Sequence, residues 1–239
     1  MKKFTFFLTA ATVLAIGAGA MAYEGSAVTG GSTISGTVKY DGTAPAPKEI
    51  AVTKDKEVCG LIKHVDQGLV VSGDGGIANA VVTITNISKG EEMKPVDAKF
   101  DQKGCQYDPH VLAVPVGSTI EVTNSDGILH NIHTYSTKNP PFNMAQPKFK
   151  KTIKVTSLEQ PEVIKVTCDA HGWMSGWWVV VDNPYYAVTD EHGKFSIQDV
   201  PPGDYTVQVW QEKLGKQDQK VSVKSGSNST ANFSMKPQG

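Results

Sequence analysis

The chain contains no arginine, so every one of its 23 basic residues is a lysine. The side chain best suited to bidentate recognition of phosphate or carboxylate is therefore missing. With 24 acidic residues against those 23 lysines, there is also no positive field to gather nucleic acid. Helical periodicity is almost absent, which excludes helix bundles and α/β folds with crossover helices. Long hydrophobic runs are scarce too. The only one, Phe4 to Ala20, is short, rich in small residues and preceded by Met1-Lys2-Lys3. Ala20-Met21-Ala22 follows it with the small-x-small pattern of a cleavage site. Residues 1–22 thus read as a signal peptide cut before Tyr23, the alternative being an uncleaved anchor. The mature chain is expected to be periplasmic or otherwise exported, with no membrane span after cleavage.

Cysteine is also sparse. In an oxidising compartment three cysteines leave one sulfur unpaired or engaged elsewhere. Cys59 and Cys105 sit in turn-like settings, V-C-G-L and K-G-C-Q, whereas Cys168 ends the β-branched run V-I-K-V-T-C and has a histidine three positions on. A Cys59–Cys105 pair with Cys168 free for metal is the expectation.

What the chain has in quantity is short β-type segments. I-S-G-T-V-K-Y, A-V-V-T-I-T, V-L-A-V, T-I-E-V-T, N-I-H-T-Y, T-I-K-V-T, V-I-K-V-T and W-W-V-V-V are separated by turns such as Asp41-Gly42, Asp74-Gly75-Gly76 and Asp126-Gly127. That spacing predicts an all-β protein of antiparallel or Greek-key sandwiches. A break at Asp182-Asn183-Pro184 opens a meander with turns at Asp190 to Gly193 and Pro201-Pro202-Gly203. Residues 184–239 are expected to form a second, smaller sandwich. The pattern T-D-E-x-G-x-F-x-I-x-x-V-P-P-G-x-Y resembles the carboxypeptidase regulatory-like, transthyretin-related module, and I-S-G-T-V-K-Y-D-G resembles its opening strand. The resemblance implies structural support or adhesion for this part. Residues 33–60 are expected to pack with it, leaving 67–183 as an inserted domain.

The chemistry-bearing residues fall in that middle part. His130 opens a strand just after Ser-Asp-Gly, and the chain later reads C-D-A-H-G-W-M. One thiolate and two imidazoles, with a thioether to one side, is a donor set for copper. The spacing C-x2-H-x2-M lets one loop turn Cys168, His171 and Met174 to a point that His130 closes from a neighbouring strand. A lone strand cysteine is usually a small buried hydrophobe and a methionine a gap-filler. The four donors in this order, with a sulfur left over, favour metal instead. His133 is an odd number of residues from His130, so it faces the other side of an extended strand and reads as surface or as a supporting residue. His110 is an alternative partner for Cys105 in another metal site, and His64 and His192 read as solvated loop residues.

V-P-V-G-S-T-I-E-V-T-N-S-D-x-x-x-H-N followed by C-x2-H-x2-M resembles the small blue copper proteins, or cupredoxins, with a short ligand loop similar to that of amicyanin. The resemblance implies a Greek-key cupredoxin sandwich over roughly residues 67–183. It implies one copper ion, cycling between Cu(I) and Cu(II), held by His130, Cys168, His171 and an axial Met174. It further implies that Asn131 holds the loop and hydrogen-bonds the cysteine sulfur. Electrons would pass through an apolar face around the exposed edge of His171; Trp173, Trp177, Trp178 and Pro140-Pro141-Phe142 read first as core and turn residues, with part of the group contributing to that face. Asp169-Ala170 departs from the usual Thr-Pro or Ser-Pro and leaves the electronic character of the site open. One-electron transfer between exported partners, such as a c-type cytochrome or an oxidoreductase, is the leading expectation. Copper storage or delivery, and a structural or adhesive protein stabilised by copper, are the alternatives. With one free cysteine and no His-Cys-His run, a dinuclear or multicopper enzyme is not expected.

Overall fold

The structure, a computed structural model, describes residues 23–237; the expected leader, residues 1–22, lies outside the described residues. The protein is all-β and holds two main cores. No helix among the described residues is long and apolar enough to cross a membrane.

The first sandwich is made by both ends of the chain. Ser32–Tyr40 pairs with Lys194–Val200, Ser229–Thr230 and Phe233–Met235. The facing sheet runs in the order Tyr186–Val188, Val81–Ile84, Gly203–Gln211, Gly215–Val223. Strand alternation decides what goes inside: Phe195 and Ile197 are buried while Lys194 and Ser196 are exposed. A register shift between Ile197 and Val200, with Asp199 at φ 53°, then swings Val200 inward despite its even numbering, as a bulge does.

The second sandwich lies between. One sheet orders Thr152–Val155, Thr119–Asn124, Asp97–Lys103 and Gln106–Asp108, and the other Asn143–Gln146, His130–Tyr135, Glu162–Thr167, Ser175–Val181 and Val111–Pro115. Two neighbouring pairs are parallel, Asp97–Lys103 with Thr119–Asn124 and Val111–Pro115 with Ser175–Val181. They need no crossover helix because consecutive strands switch between the two sheets. Phe100 anchors the core, stacked on Tyr107 and edge-on to Trp178. Such buried aromatic pairs add about 0.5–1.5 kcal/mol beyond area burial.

The run Ser175–Val181 shows why a strand pattern can lose its alternation. Trp178 and Val180 enter the second core, while Val179 and Val181 pack outward with Val81, Val111 and the partly buried Trp177 and Trp210. Both faces are covered because the two sandwiches meet there. Glu212 crosses the same junction, accepting a 2.7 Å hydrogen bond from Trp177 Nε1 and meeting His110 Nε2.

The pairing moves the expected boundaries. Val81–Ile84, placed within the segment 67–183, belongs to the sheet of the C-terminal strands, which it joins through Tyr186–Val188 and Gly203–Gln211. Cys59, within the segment 33–60, belongs to the second core. Strand runs of similar composition carry no mark of which sheet they join, so long-range pairing decides it.

Candidate metal centre

His130 starts its strand directly after a turn whose Gly127 takes φ 69°. Cys168 follows the end of Glu162–Thr167, two strands of the sheet paired at His133↔Thr167. The chain then folds back on itself: Cys168 N–H donates to Met174 O at 3.2 Å and Met174 N–H to His171 O at 2.9 Å. This small loop points Cys168, His171 and Met174 inward, and all three are at most 2% exposed.

Three donor atoms converge. Cys168 Sγ lies 3.9 Å from His130 Nδ1 and 3.8 Å from His171 Nδ1, and the two Nδ1 atoms are 3.0 Å apart. A triangle of these sides has a centre about 2.1 Å from each corner, against typical metal–nitrogen and metal–sulfur lengths of about 2.0–2.1 and 2.3 Å. Met174 is buried in the same core as Cys168, whose N–H donates to its carbonyl.

The far nitrogens decide the tautomers. His130 Nε2 meets Asp126 Oδ2 at 2.9 Å, and His171 Nε2 meets Asp55 Oδ2 at 2.8 Å. An ionised carboxylate only accepts, so each Nε2 carries its hydrogen and each neutral ring turns its Nδ1 lone pair toward the other and toward the sulfur. Two buried lone pairs 3.0 Å apart repel unless a proton or a cation lies between them. Burial opposes charge on His130, but hydrogen bonds to Asp126 and Cys168 outweigh it and raise its pKa to about 9. Burial lowers that of His171; Asp55 opposes the shift, and the charge on His130 adds to it. The pair therefore does not readily take a second extra proton, and the donor set fits a soft to intermediate metal such as copper.

Around these atoms the support is dense. Asp126 also accepts from Gly104 N–H (2.6 Å) and Cys105 N–H (2.8 Å). Asn131 Oδ1 accepts from Asp169 N–H (2.6 Å) and Ala170 N–H (3.2 Å), which holds the ligand loop, while its side-chain N–H donates to Asn143. The bond from Asn131 to the cysteine sulfur implied by the resemblance is not among its contacts. His133 points away, to Asp169 Oδ1 and a stacked Tyr135.

Cys59 and Cys105 form a disulfide. Cys105 lies close to Asp126 and His130, but its sulfur is engaged. A site joining it to His110 does not form, because His110 is buried against Glu212. His64 is a correction: expected in solvent, it is 2% exposed, with Nε2 2.8 Å from Cys59 O and its ring edge-on to Trp173. His192 is exposed in its loop.

The exposed edge expected for His171 is the larger correction, since the ring is 0% exposed. Residues 49–65 pass over it as a strap: Glu49–Ile50 pairs with His64–Val65, the short helix Lys56–Cys59 lies between, and the disulfide ties it down. Nor do the tryptophans make an open face. Trp173 donates to Cys105 O, Trp177 is engaged at the junction and Trp178 is fully buried. Pro140 and Pro141 are exposed, with Phe142 half-buried against the core. The two supporting aspartates were not foreseen. Asp126 stands four residues before His130 and was legible in the Ser-Asp-Gly turn; Asp55 has no local signal toward His171.

Comparison with known proteins gives two kinds of likeness. A carboxypeptidase regulatory-like domain model matches residues 153–236. Similar solved structures include a novel purple cupredoxin from Nitrosopumilus maritimus, 26% identical over 36% of this chain and 100% of that one at a TM-score of 0.31. Another is a reduced amicyanin mutant, 22% identical over 36% of this chain and 82% of that one at 0.32. A Cu-containing nitrite reductase from Thermus scotoductus SA-01 is 22% identical over 38% of this chain at 0.33, and the chain spans 24% of that protein's length. No curated protein matches the chain.

Proposed function

We propose that this protein is an exported electron carrier that holds one copper ion. The observation that carries the proposal is the convergence of Cys168 Sγ, His130 Nδ1 and His171 Nδ1 at 3.0–3.9 Å in a buried pocket whose tautomers two carboxylates select. His130, Cys168 and His171 would hold the ion, with Met174 as the weaker axial donor. Bound copper supplies a one-electron Cu(II)/Cu(I) couple.

The chain's own residues do the rest. Asp126 and Asp55 hold the imidazoles, Asn131 holds the loop, and Phe100, Tyr107, Ile132 and Trp178 pack the surrounding core. Dense packing resists rearrangement, so the donors stay near one geometry in both oxidation states. The same burial excludes water. A site closed by a strap and a disulfide favours electron transfer over rapid copper delivery, which calls for an open ligand path. The terminal sandwich carries no comparable donor cluster among the described residues and acts as a support. The disulfide accords with an oxidising, exported location, and the electron partner is a small redox protein such as a c-type cytochrome or an oxidoreductase.

A visible spectrum of the mature protein during Cu(II) addition tests the proposal. An intense thiolate-to-copper band that bleaches reversibly with ascorbate and is lost in Cys168→Ser is the expected result. No band in the unsubstituted protein overturns it.

A further inference from the structure

Asp55 occupies the N-cap of the helix Lys56–Cys59, where an aspartate ordinarily accepts a hydrogen bond from the first helical N–H groups. It makes no such cap. Its backbone takes φ 48° and ψ 46°, a left-handed conformation that costs a non-glycine residue free energy and persists where surroundings impose it. The carboxylate instead reaches His171 Nε2 at 2.8 Å, across 116 residues of sequence. Neighbouring contacts fasten the strap at the same place: Lys54 Nζ donates to Ala170 O within the ligand loop, and Trp173 Nε1 donates to Cys105 O beside the disulfide. Cys105 N–H in turn donates to Asp126, the carboxylate on the other histidine. One disulfide therefore links the supports of both imidazoles.

We propose that Asp55 is a positioning residue of the metal centre: carried on the disulfide-anchored strap, it keeps the hydrogen of His171 on Nε2, aims the Nδ1 lone pair at Cys168 and His130, and seals the ring from solvent. The proposal rests on the copper assignment above for its effect on metal, but the effect on the ring belongs to the apoprotein as well. A carboxylate behind a ligating imidazole strengthens it as a donor and favours Cu(II) over Cu(I).

The test uses the full mature chain with Asp55→Ala and Asp55→Asn. In the apoprotein, nitrogen NMR of the imidazoles should show His171 as the Nε2–H form in the unsubstituted chain and in Asp55→Asn, which keeps an acceptor oxygen. With His130→Ala as the background, so that no hydrogen on His130 Nδ1 can fix the facing nitrogen of His171, Asp55→Ala should give a mixture of tautomers. In the copper protein, competition with a chelator should show Cu(II) bound about 10–100-fold more weakly in Asp55→Ala, with Cu(I) affected less. Each tenfold excess loss for Cu(II) raises the midpoint potential by about 59 mV. Asp55→Asn should recover most of the affinity. An unchanged tautomer together with unchanged Cu(II) affinity in Asp55→Ala overturns the proposal. If the unsubstituted chain binds no copper, the electron-carrier assignment fails, and the apoprotein tautomers still decide the role of Asp55.

Discussion

Replacing the disulfide, as Cys59→Ala with Cys105→Ala, perturbs the second sandwich while leaving all four proposed ligands in the chain. The bridge closes a sequence separation of 46 residues. The loop-closure entropy it withholds from the unfolded chain is worth about 4 kcal/mol at 25 °C on the chain-entropy model. Both sulfurs are fully buried, so the small cavities left by alanine add to the loss. With a urea dependence of about 2 kcal/mol per molar, the unfolding midpoint of this sandwich should fall by about 2 M. Urea titration of the apoprotein followed by tryptophan fluorescence measures it, because Trp173 and Trp178 pack in the affected core. Hydrogen exchange locates the loss. Amides of Thr119–Asn124 and Glu162–Thr167 should lose protection, while those of Ser32–Tyr40 and Gly203–Gln211, in the other core, should lose much less. The strap should also loosen, so that copper passes to a chelator faster than in the bridged protein. A loss below about 1 kcal/mol, or equal loss in both sandwiches, would refute the reasoning that the bridge stabilises one core by anchoring the strap.

Other outcomes follow from single contacts. Met174→Leu keeps the buried volume near the site but removes the thioether, so copper binding should persist with an altered reduction potential; loss of binding in a copper titration would make Met174 a principal ligand. Glu162 carries an acid dependence: burial opposes its ionisation, but hydrogen bonds from Ser136, the Thr137 and Asn139 backbone and Thr137 Oγ1 outweigh that and lower its pKa from 4.5 to about 2. Its folded-state pKa being depressed, it stabilises the fold above about pH 4.5, and that contribution is lost as pH falls toward 2. Urea midpoints measured across this range should drop less steeply in Glu162→Gln than in the unsubstituted chain, and parallel curves would show that the 136–139 loop does not depend on the carboxylate.

Much of the protein is legible in the order of its residues, because the interactions concerned are local. Alternation along T-I-E-V-T and K-F-S-I marks strands with one buried face, and C-x2-H-x2-M places three donors on a loop short enough to turn them together. His130 is marked by the turn before it. Other features depend on contacts that no local pattern encodes. The W-W-V-V-V run is buried on both faces only because the second sandwich meets the first there. Val81–Ile84 joins the sheet of the C-terminal strands through residues more than a hundred positions away. His64, polar and near a lysine, is buried because the strap folds it against Trp173. The sequence by itself determined an all-β chain and the types of atom offered to a metal. Tertiary structure alone decided that His171 is sealed rather than exposed, because the carboxylate that reaches it and the disulfide that holds that carboxylate's segment in place come together only when distant parts of the chain fold over the site.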